Sequence, residues 1–179
     1  MSFRACIIEL IHTDALRMQA LSAVRSLELP GWLIAAGFVR NRVWDHVFKV
    51  TTPLSDIDVI YFCSSDTSEE RDLMLERQLS AICPDLPWSV KNQARMHIRN
   101  GDLPYGNSLD AMSYWPEKQT ALGVSLNAQN MLSIQHCFSL DLQFSGKVNH
   151  NPVRDYNVFL QRLTQKNWLS IWPGLEVAV

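Results

Sequence analysis

The chain has 179 residues, of which 47% are apolar and 19% are charged, and its formal net charge at pH 7 is -2. This length and composition suit one ordinary globular domain, and the small negative charge excludes broad, non-specific binding to nucleic acid or to an anionic membrane. No apolar run approaches the roughly 18–20 residues of a membrane span, and the N-terminal apolar stretch is too short for a signal peptide. We therefore predict a single cytoplasmic domain over residues 1–179 with no membrane partner.

The first predicted elements come from helical spacing of apolar residues within about residues 3–27. An N-cap at Thr13-Asp14 divides this segment into two short helices, which we expect to pack on the core. Residues 32–36, WLIAA, form a short apolar run that predicts a buried strand ending at Gly37. Valine then recurs every four residues from Val39 to Val47, which predicts a helix with one apolar face.

The stretch PLSDIDVIYF, residues 53–62, predicts a second strand that opens with Asp56 and Asp58. A capping box at Thr67 or Ser68 starts the next predicted helix, which ends before PDLP. WSVKN, residues 88–92, is a candidate third strand, and ARMHIR predicts a short helix or a turn.

The second half of the chain begins with residues 100–118, whose Asn, Gly, Pro and Ser content predicts loops with one helical turn near SLDAMSYW. TALGVSL and MLSIQHC predict two strands joined as a hairpin, and PVRDYNVFLQRLTQKNWL predicts a closing helix. The order of helices and strands predicts one α/β or mixed α+β domain.

The acidic pair at the start of the second strand is the first candidate for chemistry. Side chains two apart on a strand share a face, so Asp56 and Asp58 project together with Cα atoms about 6.5–7 Å apart. Two neighbouring carboxylates repel each other unless a cation such as Mg²⁺ takes an oxygen from each. The alternative is a solvated strand end whose acids pair with Lys or Arg.

The strand–glycine–helix junction in AAGFVRN is the second candidate. A helix N-terminus presents free N–H groups and a positive dipole end to a phosphate, and Gly37 lets the backbone approach closely. Arg40, one turn into the helix, is placed to bind a phosphate bidentately. The alternative is a glycine that only caps the helix.

A cluster of cations in KNQARMH is the third candidate. Lys91 and Arg95 would neutralise a triphosphate, and His97 would move a proton. The alternative is a surface turn in which Asn92 caps a helix. The four cysteines form no C-x-x-C pair and the five histidines no pair at helical spacing, so neither disulfides nor a zinc site are expected.

AAGFVRN followed by LSDIDVIYF resembles the G-G-x-V-R-D and D-x-D elements of the polymerase-beta-like nucleotidyltransferases, which include the tRNA CCA-adding enzymes. Ala36 stands at the first glycine of that pattern, Gly37 at the second, and Asn41 replaces its aspartate. The chain is more similar to a small bacterial group of stand-alone nucleotidyltransferase-like proteins, the NTP transferase 6 type. The shared segments are AAGFVRNRVWDHV, DIDVIYF, WSVKNQARMH, YWPEKQTALGV and KNWLSIWPGLEV.

This resemblance implies a nucleotidyltransferase core, a small mixed sheet flanked by helices, with Asp56 and Asp58 as ligands of Mg²⁺ or Mn²⁺. It implies an NTP site formed by the following residues: Gly37, Phe38, Arg40, Asn41, Lys91, Asn92 and Arg95. The superfamily usually adds a third carboxylate on the following strand, where WSVKN has no acid. Glu117, in the matching WPE element, is our first choice as a substitute, ahead of Asp110 and Asp141, and His97 completes the catalytic set.

The resulting hypothesis is transfer of a nucleoside monophosphate from an NTP to an unknown acceptor, with a small molecule or a protein favoured over a polynucleotide. The missing third acid supports an alternative, a nucleotide-binding or regulatory module that has lost turnover. A metal-dependent phosphohydrolase is a third option.

Overall fold

The computed structural model describes residues 2–178, which form a five-stranded mixed sheet with helices on both faces. The strands are β1 (Leu33–Ala35), β2 (Ile57–Tyr61), β3 (Trp88–Asn92), β4 (Leu122–Leu126) and β5 (Leu132–His136). The helices are α1 (Phe3–His12), α2 (Ala15–Arg25), α3 (Gly37–Phe48), α4 (Glu69–Ile82), α5 (Gln93–Asn100), α6 (Ser108–Ser113), α7 (Tyr156–Lys166) and α8 (Trp168–Ile171). Two further short strands, β6 (Lys147–Val148) and β7 (Glu176–Val177), pair with each other.

The strands lie in the order β3-β2-β1-β4-β5. β2 and β3 are parallel, and the other neighbours are antiparallel, including the predicted β4–β5 hairpin. The register places Asp58 of β2 between Ala35 of β1 and Ser89 of β3. These three residues therefore share one face of the sheet.

The two faces of β2 have opposite roles because successive side chains alternate. Ile57, Val59 and Tyr61 point into the main hydrophobic core, which α1, α2, α3 and α4 cover. Ile60 points to the other face, where it packs with Met112 of α6. Asp58 shares this second face, so the acidic residue lies outside the main core.

The N-terminal helices separate where the sequence predicts. The side chain of Asp14 accepts a hydrogen bond from the backbone N–H of Arg17 and caps α2. The predicted capping box of α4 is wrong, because the hydroxyl of Ser68 donates to Asp66 instead of capping the helix.

The closing helix is shorter than the sequence predicts. Asn167 adopts a left-handed conformation with φ 52° and divides it into α7 and α8. This break turns Trp168 and Trp172 onto Trp44 of α3, with ring centroids 5.7 and 5.1 Å apart. The indole N–H of Trp172 donates to Asp45, so α8 is anchored to α3 by both packing and a hydrogen bond.

Across residues 2–178, none of the helices combines the length and the apolarity needed to span a bilayer.

Candidate active site

A cavity of about 540 Å³ opens on the sheet face that carries Asp58. Residues of α5, which follows β3 directly, line one side of it, and residues of α7 line another. Its charged lining residues are two acids, Asp56 and Asp58, and five bases, Lys91, Arg99, Arg154, Arg162 and Lys166. The cavity is therefore rich in positive charge although the chain has a net charge of -2.

The two aspartates meet at one edge of this cavity. Asp56 is exposed and lies just before β2, and Asp58 is the half-buried second residue of that strand. Burial, and next the charge of Asp56, raise the pKa of Asp58 from 3.8 to about 6, although Lys166 and two arginines oppose them. The ammonium of Lys166 lies 4.0 Å from a carboxylate oxygen of Asp56. A cation held between the two acids would relieve their repulsion.

The turn before α3 has an unusual backbone. Ala36 lines the cavity and has φ 55° and ψ -124°, a conformation that glycine adopts readily and other residues adopt only under strain. The N–H groups of Gly37 and Phe38 are the first two of α3, and no acceptor within residues 2–178 meets them. Together with the helix dipole, they make this end of α3 suitable for an anion.

The side chains of the predicted turn residues occupy different environments. A β-carbon on Gly37 would lie 3.3 Å from the amide of Asn41 and 3.4 Å from the guanidinium of Arg40, so the glycine leaves room for both. Phe38 is fully buried in the main core beneath the guanidinium of Arg17. The side chain of Phe38 therefore lies outside the site, and only its backbone N–H is available to a nucleotide.

Arg40 lies behind the cavity wall rather than on it, with only 5% of its surface exposed. Its Nη1 donates to the hydroxyl of Thr120 at 2.8 Å, its Nη2 donates to Asn41 at 2.9 Å, and its Nε lacks an acceptor in the described chain. The guanidinium stacks on Trp44 and Trp168, with its central carbon 5.1 and 4.3 Å from the ring centroids. Burial lowers the pKa of Arg40 to about 10, so it remains charged at neutral pH.

Glu117 is completely buried and its carboxylate is enclosed by partners. Arg162 donates to it from Nε at 2.5 Å, and the hydroxyl of Thr120 donates to its second oxygen at 3.0 Å. Arg162 and Thr120 line the cavity, whereas Glu117 does not. Glu117 is therefore a partner of Arg162, and within residues 2–178 it forms no three-acid metal cluster with Asp56 and Asp58.

The KNQARMH segment forms the end of β3 and the start of α5. Lys91 lines the cavity, with its ammonium 3.5 Å from Glu76. Asn92 is fully buried, and its side-chain oxygen caps α5 by accepting from the N–H of Ala94. Of these two predicted residues, Lys91 therefore reaches the cavity, whereas Asn92 is buried and caps α5.

Arg95 and His97 also point away from the cavity. Arg95 forms an ion pair with the buried carboxylate of Asp72 at 2.5 Å. The ring of His97 stands edge-on to Tyr105, and its Nδ1 is buried with no partner in the described part of the chain. Their contacts hold α5 in place, so this helix presents Gln93, Met96 and Arg99 to the cavity instead.

A row of residues on and just before α7 was not among those that the sequence motifs indicated. Arg154, Val158, Arg162 and Lys166 recur every four residues and all line the cavity. Val158, Arg162 and Lys166 share one face of α7, and Arg154 precedes the helix. The signal was present in the sequence, but the apolar face of the same helix, centred on Phe159, dominated the pattern.

Two half-buried aromatic residues, Tyr114 and Trp115, also line the cavity. They follow α6 in the segment predicted as a loop. Aromatic surface of this kind suits stacking against a nucleobase. Six tryptophans in the chain gave no indication which of them would be available.

The two aspartates supply part of the oxygen ligands that a hard divalent cation requires. Mg²⁺ takes oxygen ligands and is usually held by one or two carboxylates, with water and substrate phosphates in the remaining positions. Asp56 and Asp58 supply two carboxylates, and the β3 residue paired with Asp58 is Ser89, which is not an acid. No cluster of three or more His, Cys, Asp or Glu side chains suited to a metal occurs within residues 2–178.

A mixed sheet with an aspartate pair beside a strand–turn–helix junction is the arrangement expected of a nucleotidyltransferase fold. A family model described as nucleotidyltransferase matches residues 22–177, so the chain belongs to that family. A solution structure described as revealing "a CCA-adding enzyme head domain" is similar, with a TM-score of 0.85 and 32% sequence identity. The similarity covers 96% of this chain and 94% of that one. Comparison with curated proteins gives no significant match. The family and the mixed α/β fold expected from the motifs are confirmed.

Proposed function

We propose that this protein uses Mg²⁺ or Mn²⁺ to transfer a nucleoside monophosphate from an NTP to an acceptor. The observation that carries the proposal is the cavity itself, where Asp56 and Asp58 face a lining whose other charged groups are all cationic. A purely structural pair of acids would be expected to pair closely with these cations. Instead, Asp56 has one long, half-exposed ion pair, 4.0 Å from the ammonium of Lys166, and Asp58 has no ion pair within residues 2–178.

In this proposal Asp56 and Asp58 hold the metal, which when bound neutralises charge on the transferred phosphoryl group. The raised pKa of Asp58 means that its carboxylate is only half ionised at about pH 6 and becomes predominantly ionised toward neutral pH. Asp58 is therefore an effective ligand at neutral pH and a poor one in mild acid.

The triphosphate lies between the start of α3 and the face of α7. The N–H groups of Gly37 and Phe38 bind it at the helix terminus, and Arg162 and Lys166 bind it from α7. Lys91 approaches from β3. Arg40, behind the wall, adds a fixed positive charge without direct contact.

The nucleoside occupies the remainder of the cavity, with its base against Tyr114 or Trp115. The ion pair between Asp102, which follows α5, and Arg154, which precedes α7, ties the two walls together at one end. The lining charges form a local cluster and not an extended surface stripe, so a small-molecule or protein acceptor remains favoured over a polynucleotide.

A second candidate function is a nucleotide-binding or regulatory module without turnover. Its support is the same region: Ser89 stands beside Asp58, and Glu117 is occupied by Arg162, so a third carboxylate is not at hand. The two functions share the nucleotide site and differ in the release of pyrophosphate.

The test is incubation with each NTP and Mg²⁺ or Mn²⁺, with cell extract supplying acceptors. We expect pyrophosphate from the native protein, none from Asp56→Asn or Asp58→Asn, and native levels from Asp141→Asn, whose side chain is exposed and outside the cavity. Nucleotide binding without pyrophosphate supports the module without turnover. Inorganic phosphate as the product indicates a phosphohydrolase, and full turnover in a variant that combines Asp56→Asn with Asp58→Asn refutes the metal role.

A further inference from the structure

A chain of hydrogen bonds connects two arginines on different elements through one buried acid. The carboxylate of Glu117 accepts from Arg162 of α7 and from the hydroxyl of Thr120. Thr120 in turn accepts from Arg40 of α3 at 2.8 Å. Glu117, Thr120 and Arg40 are buried, so this part of the chain is shielded from water, whereas its other end, Arg162, is 32% exposed in the cavity.

The two arginines are held on opposite sides of the acid. Arg162 projects from this network into the cavity, and Arg40 is sandwiched on Trp44 and Trp168 just behind the α3 turn. Both act on Asp58, because each lowers the pKa of that carboxyl against the effect of burial. One buried carboxylate therefore connects two cationic groups that both act on Asp58.

We propose that Glu117 is a positioning residue for the polyphosphate: it fixes Arg162 directly, and Arg40 through Thr120, so that both guanidiniums are in place before the nucleotide binds. The proposal rests on the proposed function, since it assigns Arg162 to the triphosphate. It gives the acid of the WPE element a role other than that of the missing third metal ligand.

Three possible roles for Glu117 predict different effects of Glu117→Gln on triphosphate binding and on Mn²⁺ binding. If it only neutralises the arginines, Glu117→Gln adds net positive charge and tightens triphosphate binding. If it is a metal ligand, the same change weakens Mn²⁺ binding. If it positions the arginines, Mn²⁺ binding is unchanged and triphosphate binding weakens, because two long side chains must then be ordered during binding.

The test uses calorimetric titration with inorganic tripolyphosphate and Mn²⁺ binding measured by electron paramagnetic resonance. We expect Glu117→Gln to weaken tripolyphosphate binding about tenfold, with Mn²⁺ affinity within twofold of native. The matched control is Asp14→Asn, which removes an acid that pairs with the buried Arg17 at the start of α2 and does not line the cavity. This control is expected to lower thermal stability and to leave tripolyphosphate binding unchanged.

Thr120→Val keeps the proposal testable if Glu117→Gln does not fold, since it cuts the link to Arg40 and leaves the Glu117–Arg162 pair. We expect about a threefold loss of tripolyphosphate affinity. Equal or tighter binding in either variant overturns the positioning role, as does a large loss of Mn²⁺ affinity. A native protein that binds neither Mn²⁺ nor tripolyphosphate contradicts the proposed function instead.

Discussion

Replacing Asp58 with Asn is expected to stabilise the metal-free protein while abolishing transfer. The pKa of this carboxyl rises from 3.8 to about 6, with burial as the main cause and Asp56 as the next. A rise of one in pKa corresponds to about 1.4 kcal/mol. The full rise therefore gives an upper limit of about 3 kcal/mol for the destabilisation by ionised Asp58 above pH 6. Water in the open cavity screens the charge, so we expect a gain in unfolding free energy of about 1–2 kcal/mol. For a chain of this length, that is a rise of about 3–6 °C in the melting temperature.

The pH dependence of this stability difference follows from the raised pKa of Asp58. Because native Asp58 binds its proton more tightly than the unfolded chain does, the native protein loses stability as pH rises from about 4 to about 6. The asparagine variant lacks this loss. The stability difference between variant and native protein should therefore grow across that interval and stay constant above it.

Thermal unfolding in EDTA at several pH values between 4 and 8 measures this difference. Asp56→Asn is the matched control, since Asp56 is exposed and its removal is expected to raise the melting temperature less. An Asp58→Asn protein that melts below the native protein at pH 7.5, or a difference that does not change between pH 4 and 6, would refute the account of a strained acidic pair.

Further predictions concern positions around the site. Ala36→Gly removes the cost of a positive φ and should raise the unfolding free energy by about 1 kcal/mol in chemical denaturation; a loss of stability would count against backbone strain there. Asp72→Asn leaves Arg95 without its buried partner and should cost about 3 kcal/mol in the same assay, and a cost below about 1 kcal/mol would contradict that pairing. A hydrogen bond with Ser65, followed by a backbone N–H, lowers the pKa of Cys63 to about 7, so its alkylation by iodoacetamide should reach half its maximal rate near pH 7, and a midpoint near 9 would contradict these contacts.

Much of the sheet could be predicted from the sequence, because local patterns determine it. The apolar run at Leu33–Ala35, the helix that starts at Gly37 and the strand around Asp58 all follow from apolar periodicity and turn chemistry. The resemblance then supported the metal-binding interpretation of the acidic pair that their spacing on one strand face had indicated. Both kinds of information lie within short, contiguous segments.

The cavity wall contributed by α7 could not be predicted in the same way. The break at Asn167 and the docking of Trp168 on Trp44 join residues more than a hundred positions apart, and no local pattern reports such a contact. This docking is what brings the Arg162 face of α7 to the aspartates.

The position of Glu117 illustrates the same limit. From the sequence it was an acid in the right motif, and its burial against Arg162 depended on how α7 packs. Arg95 and Asn92 likewise had the right chemistry for a nucleotide, but their partners, Asp72 and the start of α5, occupy them in the fold. In each case the residue type indicated the chemistry, and tertiary packing determined which partner the side chain contacts.

The central claim is that Asp56 and Asp58 share one divalent cation next to the polyphosphate. Anomalous diffraction from crystals soaked with Mn²⁺ and a non-hydrolysable NTP tests it most directly. We expect one strong peak within about 2.0–2.3 Å of a carboxylate oxygen from each aspartate, with the phosphates directed toward Gly37. A bound nucleotide with no metal peak at this pair, and with Asp56 still facing Lys166, would contradict the account.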